Sequence, residues 1–194
     1  MKYDIEAIET KVKEHINEKR YVHTKGVEYT AACLAMKYAD GNADYIMKAR
    51  VAGILHDNAK CIKDSKLLEI CREENIDVTE SEADSPYLLH GKVGAFFAET
   101  KYGIADEDIL NAITNHTTGR PDMSLLEKII FIADYIEPGR SKQEDLDIVR
   151  NLAFTDIDEC VLKITEDTLK YLESRNMTID DMTVRTRDYY KTRK

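Results

Sequence analysis

Residues 53–60 read Gly-Ile-Leu-His-Asp-Asn-Ala-Lys: an apolar approach, a histidine beside an aspartate, then a lysine. A neutral imidazole and a carboxylate are both good ligands for a divalent transition metal. Neighbours on a helix point about 100° apart, so His56 and Asp57 could meet one ion only near a helix end. The carboxylate has a second oxygen, which could reach a neighbouring ion and make Asp57 a bridge in a two-metal site. Asp134 is the second signal. It interrupts the most apolar run of the chain, where Leu125, Leu126, Ile129, Ile130, Phe131 and Ile132 precede it. A carboxylate there is unfavourable unless paired or metal-bound. The competing reading turns it to solvent on a polar edge with Glu127 and Glu137. The histidines are the third signal. His15 lies among Glu14, Asn17 and Glu18 and reads as solvated, whereas His23, His56, His90 and His116 fall near helix termini or on apolar faces. A single histidine in such a place is more often a hydrogen-bonded core residue than a ligand. Four of them with Asp57 and Asp134 make six donors, which suit two first-row ions sharing one carboxylate.

The elements that must position these residues are helical. Ile5, Ile8, Val12 and Ile16 form one stripe over 4–18, and Tyr21-Val22-His23 opens a second helix running to 40. A third covers 44–55 and turns His56 inward. Lys63-Asp64-Ser65 resembles an N-cap for a helix ending near 74. Residues 75–86 are polar and acidic and read as a loop. A helix over 87–101 carries His90 in its first turn, with Gly91 and Gly94 there either to permit close packing or at the expense of helix stability. Asp106 starts the next helix, which places Ile109, Ile113 and His116 on one stripe and breaks at Thr117-Thr118-Gly119-Arg120-Pro121. The apolar helix over 124–137 stops at Pro138-Gly139, and helices over 145–154, 156–174 and 179–190 follow. No period-2 run of useful length and no internal repeat occur, so the fold class is an all-α bundle.

Composition agrees. The chain has 194 residues, enough for one domain: a core over 20–140 and a helical extension over 141–194. Only 8 glycines and 3 prolines are present, sparse for a turn-rich β fold, and 43% of residues are hydrophobic, enough for a core. The formal charge of −9 repels nucleic acid over most of the surface, so a polyphosphate ligand would need local cations. Cys33, Cys61, Cys71 and Cys160 form no CxxC pair and suit reduced thiols in a cytoplasmic protein. Residues 1–20 read as a charged helix rather than a signal peptide, and no run approaches the roughly 18 apolar residues of a membrane span.

The order His23, His56-Asp57, His90, His116, Asp134 resembles the HD superfamily of metal-dependent phosphohydrolases, and the two extra histidines resemble its bimetallic branch. Two longer strings narrow the likeness. His116-Thr117-Thr118-Gly119-Arg120-Pro121 and the run from Ile132 through Ala133-Asp134-Tyr135-Ile136-Glu137-Pro138-Gly139 to Arg140 are similar to the YqeK family, the HD-domain symmetrical diadenosine-tetraphosphate hydrolases of bacteria. The resemblance implies an HD-domain helical bundle. It implies that His23, His56, Asp57 and Asp134 hold one ion, and Asp57, His90 and His116 the other. The ions would be iron first, with manganese or another divalent ion as alternatives. The implied reaction is cleavage of diadenosine tetraphosphate to two ADP by a hydroxide bridging the ions, with Asp57 and Lys60 as catalytic residues.

Lys60, one turn after His56, could contact phosphate; its plainer role is a cation at a helix C-terminus. Arg140 after Pro138-Gly139 carries the same two readings, and Arg120 and Thr117 could reach the polyphosphate from their turn. A homodimer is among the assemblies the resemblance allows. The basic and aromatic run 185–194 could touch nucleotide or RNA, though a solvated terminal helix is the simpler reading. Two alternatives keep the same residues: another HD-type phosphohydrolase acting on nucleotides or cyclic dinucleotides, and a nucleotide-binding regulatory module with a structural metal.

Overall fold

Asn17, Asn42, Asp106, Ser124 and Asp156 each end an irregular stretch by accepting a backbone N–H from the first turn of a helix. These caps set the frame of the molecule, because each satisfies a donor that the helix cannot pair internally. In this computed structural model, residues 3–143 and 145–193 are described. Met1, Lys2 and Lys194, at the ends of the runs 1–20 and 185–194, lie outside them. The elements are α1 (Ile5–His15), α2 (Glu18–Tyr38), α3 (Ala43–Leu55), α4 (Asp64–Glu73), α5 (Glu80–Asp84), a 3₁₀ turn (Pro86–Leu89), α6 (His90–Tyr102), α7 (Glu107–Asn115), α8 (Leu125–Ile136), α9 (Leu146–Thr155), α10 (Ile157–Ser174) and α11 (Asp181–Lys191). The fold is all-α, with no strand among the described residues.

Helix α8 is the axis. Leu126, Ile129, Ile130 and Ile132 are fully buried, and Ala133 with them. Burying each large side chain contributes about 1.5–3 kcal/mol relative to leaving it exposed. Around α8 stand the α2–α3 pair, α7, and α9 with α10. One continuous apolar cluster runs from Ile8 in α1 to Tyr190 in α11, and a smaller one gathers Ala59, Leu67, Ile70, Cys71, Leu89 and Val93 under α4 and α6. Gly91 lets α6 approach α7, since a Cβ there would lie 2.6 Å from the Thr114 carbonyl oxygen. Close packing, not a weakened helix, accounts for that glycine. No helix among the described residues is long and apolar enough to cross a membrane.

Several expectations need correction. Helix α1 stops at His15 and α2 starts at Glu18, because Asn17 caps α2 through the Arg20 N–H. Lys63 offers α4 no side-chain cap. The expected loop at 75–86 contains α5, fixed by a capping box between Thr79 and Glu82, and then the 3₁₀ turn before α6. The terminal helix α11 is not simply solvated, because Thr183, Thr186 and Tyr190 are buried. Glu127 is not on a wet edge of α8 but is 1% exposed.

Candidate metal centre

Helix ends meet beside α8. His56 follows the last residue of α3 at its C-cap, with Asp57 next. His90 is the first residue of α6, His116 is the C-cap of α7, and Asp134 lies in the last turn of α8. His23 comes from the second turn of α2. His15 is exposed and apart.

Asp57 is at the middle. Its Oδ1 lies 3.3 Å from His90 Nε2 and 3.5 Å from His116 Nε2. Its Oδ2 lies 3.3 Å from His56 Nε2 and 3.7 Å from His23 Nε2. On that second side Asp134 Oδ1 approaches His23 Nε2 at 3.0 Å and His56 Nε2 at 3.9 Å. One carboxylate thus faces two imidazole sets, one through each oxygen.

The imidazoles share an orientation. Nδ1 of His56, His90 and His116 each donates to the carbonyl three residues earlier: Gly53 at 2.7 Å, Tyr87 at 2.5 Å and Ile113 at 2.7 Å. His23 Nδ1 donates instead to Glu137 Oε1 at 3.1 Å. A proton fixed on Nδ1 leaves the Nε2 lone pair directed inward, the tautomer that metal-bound histidines require.

The electrostatics call for a cation among these groups. His90 Nε2 and His116 Nε2 are 3.1 Å apart, two lone pairs in contact unless positive charge lies between or beside them. Buried His23 Nε2, His56 Nε2 and Asp57 Oδ1 have no hydrogen-bond partner. Burial raises the Asp57 carboxyl, but the surrounding imidazoles of His56, His116 and His90 outweigh it and hold Asp57 well below the usual carboxylate range. Burial likewise works against ionised Asp134, yet His23, His56 and Arg140 hold its carboxyl far below that range. A proton is a poor way to supply the charge at His90. Burial, helped by the nearby Lys60 ammonium and outweighing the pull of Asp57, pushes His90 down to about 4. The donor set, imidazole nitrogens with carboxylate oxygens, suits a first-row divalent ion. Two sets of donors, His23 with His56 and Asp134, and His56 with Asp57 and His116, lie close enough to hold an ion.

The other expected residues divide. Lys60 reaches the centre, its Nζ 3.1 Å from His90 Nε2, and burial lowers its ammonium pKa against the pull of Asp57 and Asp134. Thr117 Oγ1 lies 3.3 Å from His90 Nε2 and 3.2 Å from His116 Nε2. Arg140 stands at the rim, donating to Asp134 Oδ1 at 2.6 Å and to the Asp134 carbonyl at 2.8 Å. Arg120 is not brought to the centre. Its guanidinium forks onto buried Glu127 through two contacts of 2.6 Å, which ties the turn after α7 to the start of α8.

Two residues in the site carried no separate signal. Arg20 donates to Asp57 Oδ2 at 2.6 Å; it stands three residues before His23, on the same face of α2. Glu137 holds His23 and also accepts the Gly139 N–H at 2.5 Å. Gly26 makes room for it, as a Cβ at 26 would lie 2.5 Å from Glu137 Oε2. The mouth is on this side: Arg20, Asp134 and Arg140 side chains are 29%, 24% and 33% exposed, whereas His56, Asp57, His90 and His116 are sealed.

Comparison with known proteins agrees with this geometry. Residues 20–139 match the HD domain family. The chain is 39% identical over 168 residues to a Bacillus subtilis (strain 168) protein named bis(5'-nucleosyl)-tetraphosphatase, symmetrical, with 87% of each chain covered. It is 42% identical over 175 residues to a protein of the same name from Halalkalibacterium halodurans, with 90% of each covered. A crystal structure from Clostridium acetobutylicum, titled "predicted HD superfamily hydrolase involved in NAD metabolism", superposes with a TM-score of 0.93 at 41% identity over 99% of both chains.

Proposed function

Because the chain belongs to the HD domain family, and within it to the symmetrical bis(5'-nucleosyl)-tetraphosphatases, we propose that it hydrolyses diadenosine tetraphosphate to two ADP. In this reading His23, His56, Asp57 and Asp134 hold one divalent ion, and Asp57, His90 and His116 hold a second. Iron is the first choice, with manganese or another divalent ion as alternatives. The observation that carries the reading is the placement of the two Asp57 oxygens, each facing its own pair of imidazole Nε2 atoms. When bound, such ions supply a nucleophile from water near neutral pH and draw charge off phosphoryl oxygens.

The chain's own residues do the rest. The four Nδ1 hydrogen bonds lock the rings, so little reorganisation is needed on binding. Lys60, Arg20 and Arg140 place three cations around a substrate whose charge the −9 surface would otherwise repel. Lys60 and Arg140 contact phosphate in the complex, and Thr117 offers a hydroxyl beside them. Arg120 acts one step away, by holding the Thr117 turn through Glu127. Water adds to an inner phosphorus, and the bond to the oxygen between the two central phosphoryl groups breaks. One ADP leaves with that oxygen and the other keeps the oxygen from water. ADP is a good leaving group, so no strong general acid is required. A cytoplasmic setting accords with the four free cysteines.

The test is product analysis with iron- or manganese-loaded protein. ADP should be the sole nucleotide product from diadenosine tetraphosphate. ATP with AMP would reject symmetrical cleavage. Preferred turnover of deoxynucleoside triphosphates or cyclic dinucleotides would move the substrate assignment, and tight nucleotide binding without turnover would point to a regulatory module.

A further inference from the structure

The two halves of the centre are braced by different helices of the C-terminal extension. Helix α9 braces the half that carries His23 and Asp134. Arg150 donates to the carbonyls of Ile136 and Glu137 at 3.2 Å and of Arg140 at 3.1 Å, just past Asp134. The last carbonyls of a helix go unpaired within it, and this guanidinium donates there. Glu137, whose carbonyl it holds, is the residue that orients His23.

Helix α11 braces the other half. His116 caps α7, and the turn that follows lies against α11. The buried Tyr190 hydroxyl accepts the Met123 N–H at 3.2 Å, and Tyr189 donates to Asp122 at 2.6 Å. The Thr186 hydroxyl donates to the Met182 carbonyl of its own helix at 2.7 Å and is shared with the Thr118 carbonyl at 3.2 Å. Packing is close at Gly119, whose φ is +65°; a Cβ there would lie 2.8 Å from Thr186 Cγ2.

The start of α11 reaches the segment before His90. Asp180 Oδ2 accepts from the Ser81 hydroxyl in α5, while its Oδ1 caps α11 at the Met182 N–H. From α5 the chain passes through Ser85 straight into the 3₁₀ turn, whose Tyr87 carbonyl takes the His90 Nδ1 proton. One helix thus touches both segments that orient His90 and His116. Among the described residues, none of its side-chain hydrogen bonds goes to α2, α3 or the last turn of α8, which position His23, His56 and Asp134. Metal–ligand distances are held to about 0.2 Å, so a small displacement of either segment weakens binding.

We propose that α11 is the positioning element for the His90–His116 half of the centre, and that it governs retention of the second ion but not of the first. The second clause rests on the two-ion reading above. Ser81→Ala removes the tie to α5, and Tyr190→Phe removes the acceptor of the Met123 N–H; neither residue touches the centre. Titration of the full chain with chelator-buffered zinc, followed through the histidine ring resonances, reads the halves separately. His23 reports the first ion, and His90 with His116 the second. The zinc concentration that half-converts the His90 and His116 signals should rise about threefold in each variant and about tenfold in the double variant, with the His23 midpoint unchanged. Arg150→Gln should reverse the pattern, whereas a general loss of stability would move both halves alike. Equal shifts of all three rings in the double variant, or no shift, would overturn the proposal. Zinc that moves only one half of the wild-type centre would remove the two-ion reading, and amide exchange then decides the positioning claim alone. Faster exchange at 87–90 and 116–119 in the double variant, with 53–57 and 133–137 unchanged, upholds it; a uniform change or none refutes it.

Discussion

Two buried charge clusters share helices α2 and α3, and they are built on opposite principles. Around fully buried Glu28, Arg50 donates to Oε1 through two contacts of 2.9 and 2.7 Å, and the Lys25 ammonium sits against Oε2. Lys25 reaches on to Glu9 at 2.9 Å. Every negative charge there meets a cation from the chain, and Glu28 and Glu9 raise the Lys25 ammonium pKa despite the opposing effect of burial. Around Asp57 the cations do not exhaust the donors. Arg20 and Arg140 each meet one carboxylate oxygen from the rim and Lys60 lies beside His90, yet four imidazoles direct lone pairs inward, and Asp57 Oδ1, His23 Nε2 and His56 Nε2 have no hydrogen-bond partner. A buried cluster with a surplus of lone pairs is a place for a cation the chain does not supply. A balanced one is a strut.

Removing the central carboxylate from each cluster gives the largest contrast. Asp57→Ala should strip the bound metal and lower activity by more than the roughly 10–100-fold seen on losing an outer-shell partner. Glu28→Ala should keep its metal and instead lose about 1–3 kcal/mol of stability, limited because Arg50 and Lys25 can reach solvent. Elemental analysis and urea unfolding of both variants decide it. Full metal content in Asp57→Ala, or lost metal in Glu28→Ala, would erase the distinction.

Glu137 sharpens the comparison at smaller effect. Its Oε1 lies 3.9 Å from Arg140 Nε, and it acts on the centre by holding His23 Nδ1. Glu137→Gln keeps an acceptor but loses the charge that makes the imidazole a better donor. Metal affinity, measured by competition with a chelator, should fall about 10–100-fold while the melting temperature changes little. Unchanged affinity would reduce Glu137 to a cap for the Gly139 N–H.

How much of this was legible in the sequence follows from the same contrast. The helices were readable from their stripes, and His56, His90, His116 and Asp134 stood out because an ionisable residue on an apolar face is conspicuous. Arg20 and Glu137 were not, because a charged residue at a helix end is ordinary until its partner across the fold is known. Arg120 shows the converse: the sequence suited it to phosphate, but its fork to Glu127 depends on how the turn after α7 folds back on α8. Helix α5 was missed although Thr79 and Glu82 have capping-box spacing, because the acidic composition around them reads as loop. The hold of α11 on the turn after α7 is a tertiary fact with no local signature.

The smallest effect separates the clusters by pH. His90 is held neutral, with its folded pKa pushed from the ordinary 6.5 down to about 4 by burial. Between those values the unfolded chain binds the extra proton, so the contribution of His90 is complete above the unfolded pKa and fades as pH falls toward 4. Lowering the pH from 7 to 5.5 should therefore remove roughly 1 kcal/mol from chelator-treated protein. Lys25 of the other cluster adds no pH dependence in this window, because its pKa is raised and its contribution is fully present throughout. Denaturant titrations at the two pH values, repeated on His90→Asn, measure the difference. An undiminished pH slope in His90→Asn would assign it to another group and remove buried, neutral His90 as the feature that sets the centre apart from the strut beside it.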